Sequence, residues 1–148
     1  MLDDETDRVI VRQLLEDGRT SYTDLAKATG LSVSAVHQRV RRLGERGVVT
    51  GYTAVVDPTA AGLPLTAFVS ITPTDPAAID DAPDRLAHLQ AVEACHSVAG
   101  EESYILKVRV ASPLALEALL AEIRSAAGVS TRTTVVLSTP GEGRAPTL

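Results

Sequence analysis

Residues 21–46 read SYTDLAKATGLSVSAVHQRVRRLGER, and their spacing decides the fold of the first third of the chain. Ser21 stands as an N-cap with Asp24 three positions on, an approximation of the capping box in which the shorter Asp replaces Glu. Leu25, Ala26 and Ala28 give a short helix a small apolar face, and Gly30 closes it. Leu31-Ser32 opens another helix after a very short turn, with Ser32 as its N-cap. At 100° per residue Val36, Val40 and Leu43 fall in a narrow arc that must face inward, while Ser34, His37, Gln38, Arg41 and Glu45 fall opposite. Two helices joined by a tight Gly turn, the second with a polar, cationic outer face, describe a helix-turn-helix.

Working outward, Asp4 to Glu16 repeats apolar residues at Val9, Ile10, Val11 and Leu14 with helical spacing. Acids such as Asp7 sit in its first turn, where they favour the positive end of the helix dipole. Asp17-Gly18 stops it. On the other side Val48, Val49 and Tyr52 to Val56, around Thr50-Gly51, predict a small β-wing. A helix fits the major groove of duplex DNA, and Gln and Arg each make two parallel hydrogen bonds to a base edge. The candidate DNA contacts are therefore Ser32, Ser34, His37, Gln38, Arg41, Arg42 and Arg46. Gln38 suits adenine, Arg41 suits guanine, and Arg42, Arg46 and the wing reach for phosphates. A solvated, Arg-rich face on a plain three-helix bundle is the alternative.

Charge supports this division. The 148-residue chain carries a formal net charge of −5. Residues 1–56 hold eight basic and eight acidic side chains, so the whole deficit lies in residues 57–148. Ser32 to Arg46 sets Arg39, Arg41, Arg42 and Arg46 against Glu45 alone, a local positive strip on a neutral module. Aromatic residues are only 3% of the chain, which argues against single-stranded readers that stack bases on several rings. No apolar run approaches the roughly 18 residues of a membrane helix. The acidic start MLDDETDRVI lacks the apolar core of a signal peptide, so a cytoplasmic location is expected.

Asp57-Pro58 and Gly62-Leu63-Pro64 punctuate the chain and predict a linker over 57–65. Thr66 to Thr72 alternates as a strand, and a helix follows over about Asp81 to Gln90 with Pro83 in its first turn. Asp75-Pro76 starts either a separate turn or an earlier kinked helix. Val92 to Ala99 reads as a strand, Gly100 to Ser103 as a turn, and Tyr104 to Val110 as a strand. Ser112-Pro113 supplies an N-cap and a first-position proline for a helix with Leu116, Leu119, Leu120 and Ile123 on one stripe. Gly128 ends it, and Val129 to Ser138 closes the pattern.

The fold class is thus α+β: an N-terminal winged helix-turn-helix over 1–56, then a C-terminal ferredoxin-like βαββαβ domain over 66–138, with 139–148 as a tail. In Tyr104 to Val110 the residues Tyr104, Leu106, Val108 and Val110 point one way and Ile105, Lys107 and Arg109 the other. Helices cover one face of such a sheet, and a half-apolar second face needs another copy, so at least a dimer is expected.

Other groupings carry no chemistry. Cys95 and His96 are strand neighbours and point to opposite faces. His37, His88 and His96 lie on three elements without ligand spacing, and no metal is expected. The acids at Asp80, Asp81 and Asp84 cover a helix start. No phosphate loop, G-x-S-x-G or H-E-x-x-H occurs, so neither an enzyme nor a cofactor is expected.

Taken together, these segments resemble the leucine-responsive/AsnC family of prokaryotic transcription regulators. The resemblance runs from Asp4 to about Ser138. It rests on D-x-x-D at Asp4 and Asp7, on EDGRTSYTDLAKATGLSVSAVHQRVRRLGERGVVTGYTAVVDP at 16–58, on AFVSI at 67–71, on HSVAGEESYILKVRV at 96–110 and on AGVSTRTTVVL at 127–137.

It implies an N-terminal module that reads double-stranded DNA and a C-terminal domain that responds to a ligand. It also implies dimers formed through the C-terminal sheets, often assembled into rings or octamers, and regulation by an amino acid held between neighbouring dimers. A G-x-x-D-Y turn of the family is matched by Gly100, Glu101, Glu102, Ser103 and Tyr104, which become candidate effector residues. Ser103 departs from that pattern by removing a fixed negative charge, and a charge-assisted bond is about twice as strong as a neutral one. Glu101 or Glu102 stands in for it, or the effector is different or absent. A sequence-specific regulator modulated by an amino acid is expected; an architectural DNA-binding protein or an effector-independent regulator is the alternative.

Overall fold

The computed structural model describes residues 2, 4–77, 80–143 and 146. It divides into two compact units, Met1–Val55 with Gly141–Leu148, and Val56–Pro140.

In the first unit, α1 spans Glu5–Glu16, α2 Tyr22–Thr29 and α3 Val33–Glu45. Each start is capped by the side chain that its sequence offers. The Asp4 carboxylate accepts from the backbone N–H of Thr6 and Asp7. Ser21 Oγ accepts from Asp24 N at 3.1 Å and donates to the Asp24 carboxylate at 2.7 Å, so the shortened capping box closes side chain to side chain. Ser32 Oγ accepts from Ala35 N at 3.2 Å. Gly30 turns the chain between α2 and α3 at φ 71°, in the left-handed region open to glycine. Ile10, Val11, Leu25, Ala26, Val36, Val40 and Leu43 form the core.

The expected β-wing is not formed among the described residues. Gly47 takes φ 69° and ends α3 in a Schellman arrangement: Gly47 N donates to Gly44 O at 2.9 Å and Val48 N to Leu43 O at 2.9 Å. Val49 N also turns back to Leu43 O, at 3.2 Å. The donors that a first wing strand needs are therefore spent on the helix end. Residues 50–57 follow without strand pairing, and Val55 and Val56 are exposed.

In the second unit, residues 57–63 form a compact turn in which Leu63 N donates to Pro58 O at 2.8 Å. Four strands follow: β1 Leu65–Pro73, β2 Val92–Ser97, β3 Tyr104–Val110 and β4 Val129–Val135, with α4 Ala82–Leu86 and α5 Pro113–Ala127 between them. The sheet order is β2-β3-β1-β4 and every pairing is antiparallel, the ferredoxin-like arrangement. Val69 faces Leu106 on one side and Thr133 on the other. Ala67, Val69 and Ile71 of β1 and Leu106 and Val108 of β3 pack with Leu86 of α4 and with Leu116, Leu119 and Ile123 of α5.

Three elements end earlier than expected, among them β2, which stops at Ser97 rather than Ala99 as Val98 N turns to Ser103 O, and one open alternative is decided. The helix expected over Asp81 to Gln90 is a helix only at Ala82–Leu86, because Leu89 N bonds to Leu86 O and Val92 N to Leu89 O, tightening the chain into turns. Asp75-Pro76 is a separate turn, with Ala77 N on the Asp75 carboxylate at 2.9 Å. The last strand ends at Val135, one residue before a final bond from Val136 N to Thr66 O.

Candidate nucleic-acid interface and effector cleft

Burial of Val36, Val40 and Leu43 fixes the rotation of α3, so its remaining faces turn outward. Ser32, Ser34, His37, Gln38, Arg41, Arg42 and Arg46 are all exposed. Ser32 and Ser34 hydroxyls lie 3.1 Å apart at the helix start. The His37 ring meets Tyr22 edge-on, with centroids 5.2 Å apart and planes at 87°, which orients His37 from α2. Arg41 Nε donates to Glu45 Oε1 at 2.7 Å, an exposed i,i+4 pair. Such pairs contribute about 0.3–0.5 kcal/mol, so the guanidinium is held only weakly by Glu45.

The positive strip on α3 is partly neutralised by α1. Arg39 Nη1 donates to Asp4 Oδ2 at 2.8 Å and to Asp7 Oδ1 at 2.7 Å. The hydrogen bond from Arg39, joined by backbone bonds from Asp7 and Thr6, holds the Asp4 carboxyl at about 2, below its usual 3.8. Arg42 Nη2 lies 3.8 Å and Arg46 Nη1 4.0 Å from Asp7 Oδ2. Sequence spacing missed this cluster, since 32 and 35 residues separate Arg39 from its two acids.

The second unit leaves one sheet face without helices. Strand alternation places Ser70 and Thr72 of β1 and Ser130 and Arg132 of β4 there, beside the turn that carries Glu101 and Glu102. With Thr131 these residues line an open cleft of about 320 Å³. Arg132 forms an ion pair with Glu102 across it. Ser103 N donates to Ile71 O at 3.0 Å and Val98 N to Ser103 O at 3.1 Å, tying the turn to the sheet. Ser103 and the exposed Gly100 are absent from the cleft lining.

Tyr104 departs from its expected place. It pairs with Ile71 and alternates with Leu106 and Val108, which puts its ring on the helix-covered face, away from the cleft. A hydrogen bond to the Asp80 carboxylate, together with burial, raises its phenol pKa. Strand periodicity forces this: the side chain before Ile105 cannot share its face.

Two family models match the chain: one described as "Winged helix-turn-helix DNA-binding" over residues 3–50 and one as "Lrp/AsnC ligand binding domain" over residues 66–146. The HTH-type transcriptional regulator LrpA of Mycobacterium tuberculosis is 59% identical over 136 residues, covering 92% of this chain and 91% of its own. The chain belongs to the Lrp/AsnC family. The Leucine-responsive regulatory protein of Escherichia coli strain K12 is 37% identical over 138 residues, covering 90% of this chain and 84% of its own. A solved structure of the feast or famine regulatory protein of M. tuberculosis, complexed with L-methionine, is 56% identical, with TM-score 0.95 over 99% of both chains.

These Lrp/AsnC relatives are transcriptional regulators and not enzymes, and this chain is a helix-turn-helix regulator of the same family. No helix among the described residues is long and apolar enough to cross a membrane. Arg132 escaped the sequence reading of the effector turn. Its signal was the β4 alternation, but placing it opposite Ser70 requires the β1–β4 register, which sequence spacing does not supply.

Proposed function

We propose that this cytoplasmic Lrp/AsnC regulator reads specific sites in double-stranded DNA with α3 and adjusts that binding to an amino acid held in the C-terminal cleft. Residues 1–56 act as the DNA-reading domain and 66–138 as the ligand-sensing and oligomerisation domain. Gln38 and Arg41 contact base edges, Ser32, Ser34 and His37 set the approach of the helix start, and Arg42 and Arg46 hold phosphates. The observation that carries the reading is the exposure of all seven side chains on α3 and its two caps, while the inner face of the helix is locked into the core.

The cleft suits a zwitterion. Arg132 takes the carboxylate and Glu102 the ammonium group, each exchanging its present partner for one on the ligand. Glu101 supplies the second acid beside the site, replacing the charge lost at Ser103; Gly100 and Tyr104 shape the turn. Two copies meet through the open sheet faces, and a dimer presents two α3 helices to half-sites about 34–36 Å apart. Pairing of such dimers, up to an octamer, brings neighbouring clefts together.

Thermal unfolding with each L-amino acid tests the ligand, and titration of duplex DNA in its presence tests the coupling. An effector at about 100 times its Kd adds roughly 2.7 kcal/mol of stability and shifts DNA affinity. If no amino acid changes either quantity, the protein is an effector-independent regulator.

A further inference from the structure

Asp7 is the one charged side chain buried among the described residues, at 2% exposure. It lies on α1, yet its carboxylate addresses three arginines of α3. Oδ1 accepts from Arg39 at 2.7 Å, and Oδ2 lies 3.8 Å from Arg42 Nη2 and 4.0 Å from Arg46 Nη1. At 100° per residue Arg39, Arg42 and Arg46 fall within an arc of about 60°, between the inward arc of Val36, Val40 and Leu43 and the outward arc of His37, Gln38 and Arg41. They form a ridge along the flank of the recognition helix. Asp4 adds a second carboxylate to Arg39, so three cations meet two anions.

A buried carboxylate is weak evidence for stability, because desolvation offsets most of its attraction. Arg39 already has Asp4 at 2.8 Å, so holding α1 to α3 does not by itself require Asp7. Asp7 differs from Asp4 in also facing Arg42 and Arg46, which are half-exposed and beyond direct hydrogen-bond length from it. A negative charge fixed there directs those two guanidinium groups and cancels part of their attraction for any nearby phosphate.

We infer that Asp7 is a positioning residue for DNA recognition. It steers Arg42 and Arg46 along the flank of α3 and lowers their pull on non-specific DNA, so that they engage phosphates fully only when α3 is seated on its site. The inference rests on the proposal that α3 enters the major groove.

Asp7→Asn tests it, because the amide keeps the size of the side chain and an acceptor for Arg39 while removing the charge. Wild type and variant are titrated, over a range of salt, with a duplex selected from a random pool by the wild type and with a shuffled duplex of equal length. Affinity of the variant for the shuffled duplex should rise about threefold or more, the effect of removing one negative charge near 6 Å from a phosphate in water. The log–log salt slope should steepen by roughly 0.9 for each phosphate gained, and the ratio of selected to shuffled affinity should fall.

A residue that only props α1 against α3 gives another result: a lower melting temperature, weaker binding to both duplexes and an unchanged slope. That result overturns the inference. Should Asp7→Asn fail to fold, Asp4→Asn decides, since Asn preserves the N-cap and frees part of the same ridge. A smaller gain on the shuffled duplex supports the inference and no gain overturns it. Absence of any preference in the wild-type protein overturns the α3 reading itself, and the inference with it.

Discussion

Arg39 and Arg109 are both largely covered guanidinium groups answered by carboxylates, with side chains 25% and 11% exposed, but their surroundings differ. Arg39 bonds to Asp7, whose side chain is 3% exposed within the same helical unit. Arg109 Nε lies 2.9 Å from Glu93, whose side chain is 37% exposed at a bulge of edge strand β2, and Lys107 approaches the same acid at 3.5 Å. In the first unit the acid that organises the arginines is packed into the fold, and the outward surface is finished. In the second, the ion cluster lies on the helix-free sheet face beside the exposed ring of Phe68. One surface offers cations to a polyanion; the other leaves a partly apolar sheet face open, the face through which we propose that two copies meet.

The largest effect that separates the units comes from their cores. Leu43→Ala, at a position with no exposure, should cost about 2–5 kcal/mol. It should abolish DNA binding while amino-acid binding to the second unit persists, read by melting and by calorimetry of each ligand. Loss of both activities together would mean that the units do not fold separately, and the comparison would break.

Next in size is Arg132→Ala, which should weaken amino-acid binding by about 1.5–3 kcal/mol, the contribution of a hydrogen bond to a charged group. Calorimetry showing unchanged affinity would move the carboxylate partner elsewhere.

Arg41→Ala should cost about 1–3 kcal/mol at one base-pair position and little elsewhere. An equal loss on every duplex would make Arg41 a phosphate contact.

Asp4 gives the smallest effect and a pH signature. Its carboxyl is held at about 2 by the Arg39 hydrogen bond, below the usual 3.8, so the stability it contributes is complete above about pH 4 and is lost as pH falls toward 2. The melting-temperature gap between wild type and Asp4→Asn should therefore be steady near neutrality and close between about pH 4 and 2. A gap that stays open at pH 2 would contradict the Arg39 attachment.

Much of the fold was legible because it is local. Ser21, Ser32 and Ser112 cap the helices they precede, and the 3.6-residue rhythm of Val36, Val40 and Leu43 fixes the outward face of α3. The wing was misread because hydrophobic spacing at Val48 and Val49 says nothing of where their N–H groups bond; the backbone turn at Gly47 decides that. Tyr104 shows a different limit. The alternation of β3 already sets it with Leu106 and Val108, but the family turn motif treats Gly100 to Tyr104 as one unit and hides the change of face. Asp7–Arg39 and Glu102–Arg132 depend on packing between distant elements, which no spacing rule reaches.

Selection of duplexes from a random pool, by the wild-type protein and by Gln38→Ala, tests the readout by α3 most directly. The wild type should enrich paired half-sites centred about one helical turn, 34–36 Å, apart. Gln38→Ala should relax one A·T position in each half and leave the remaining positions intact. Enrichment of no sequence by the wild type, or of identical sequences by both proteins, would contradict the assignment of α3 as the element that reads DNA.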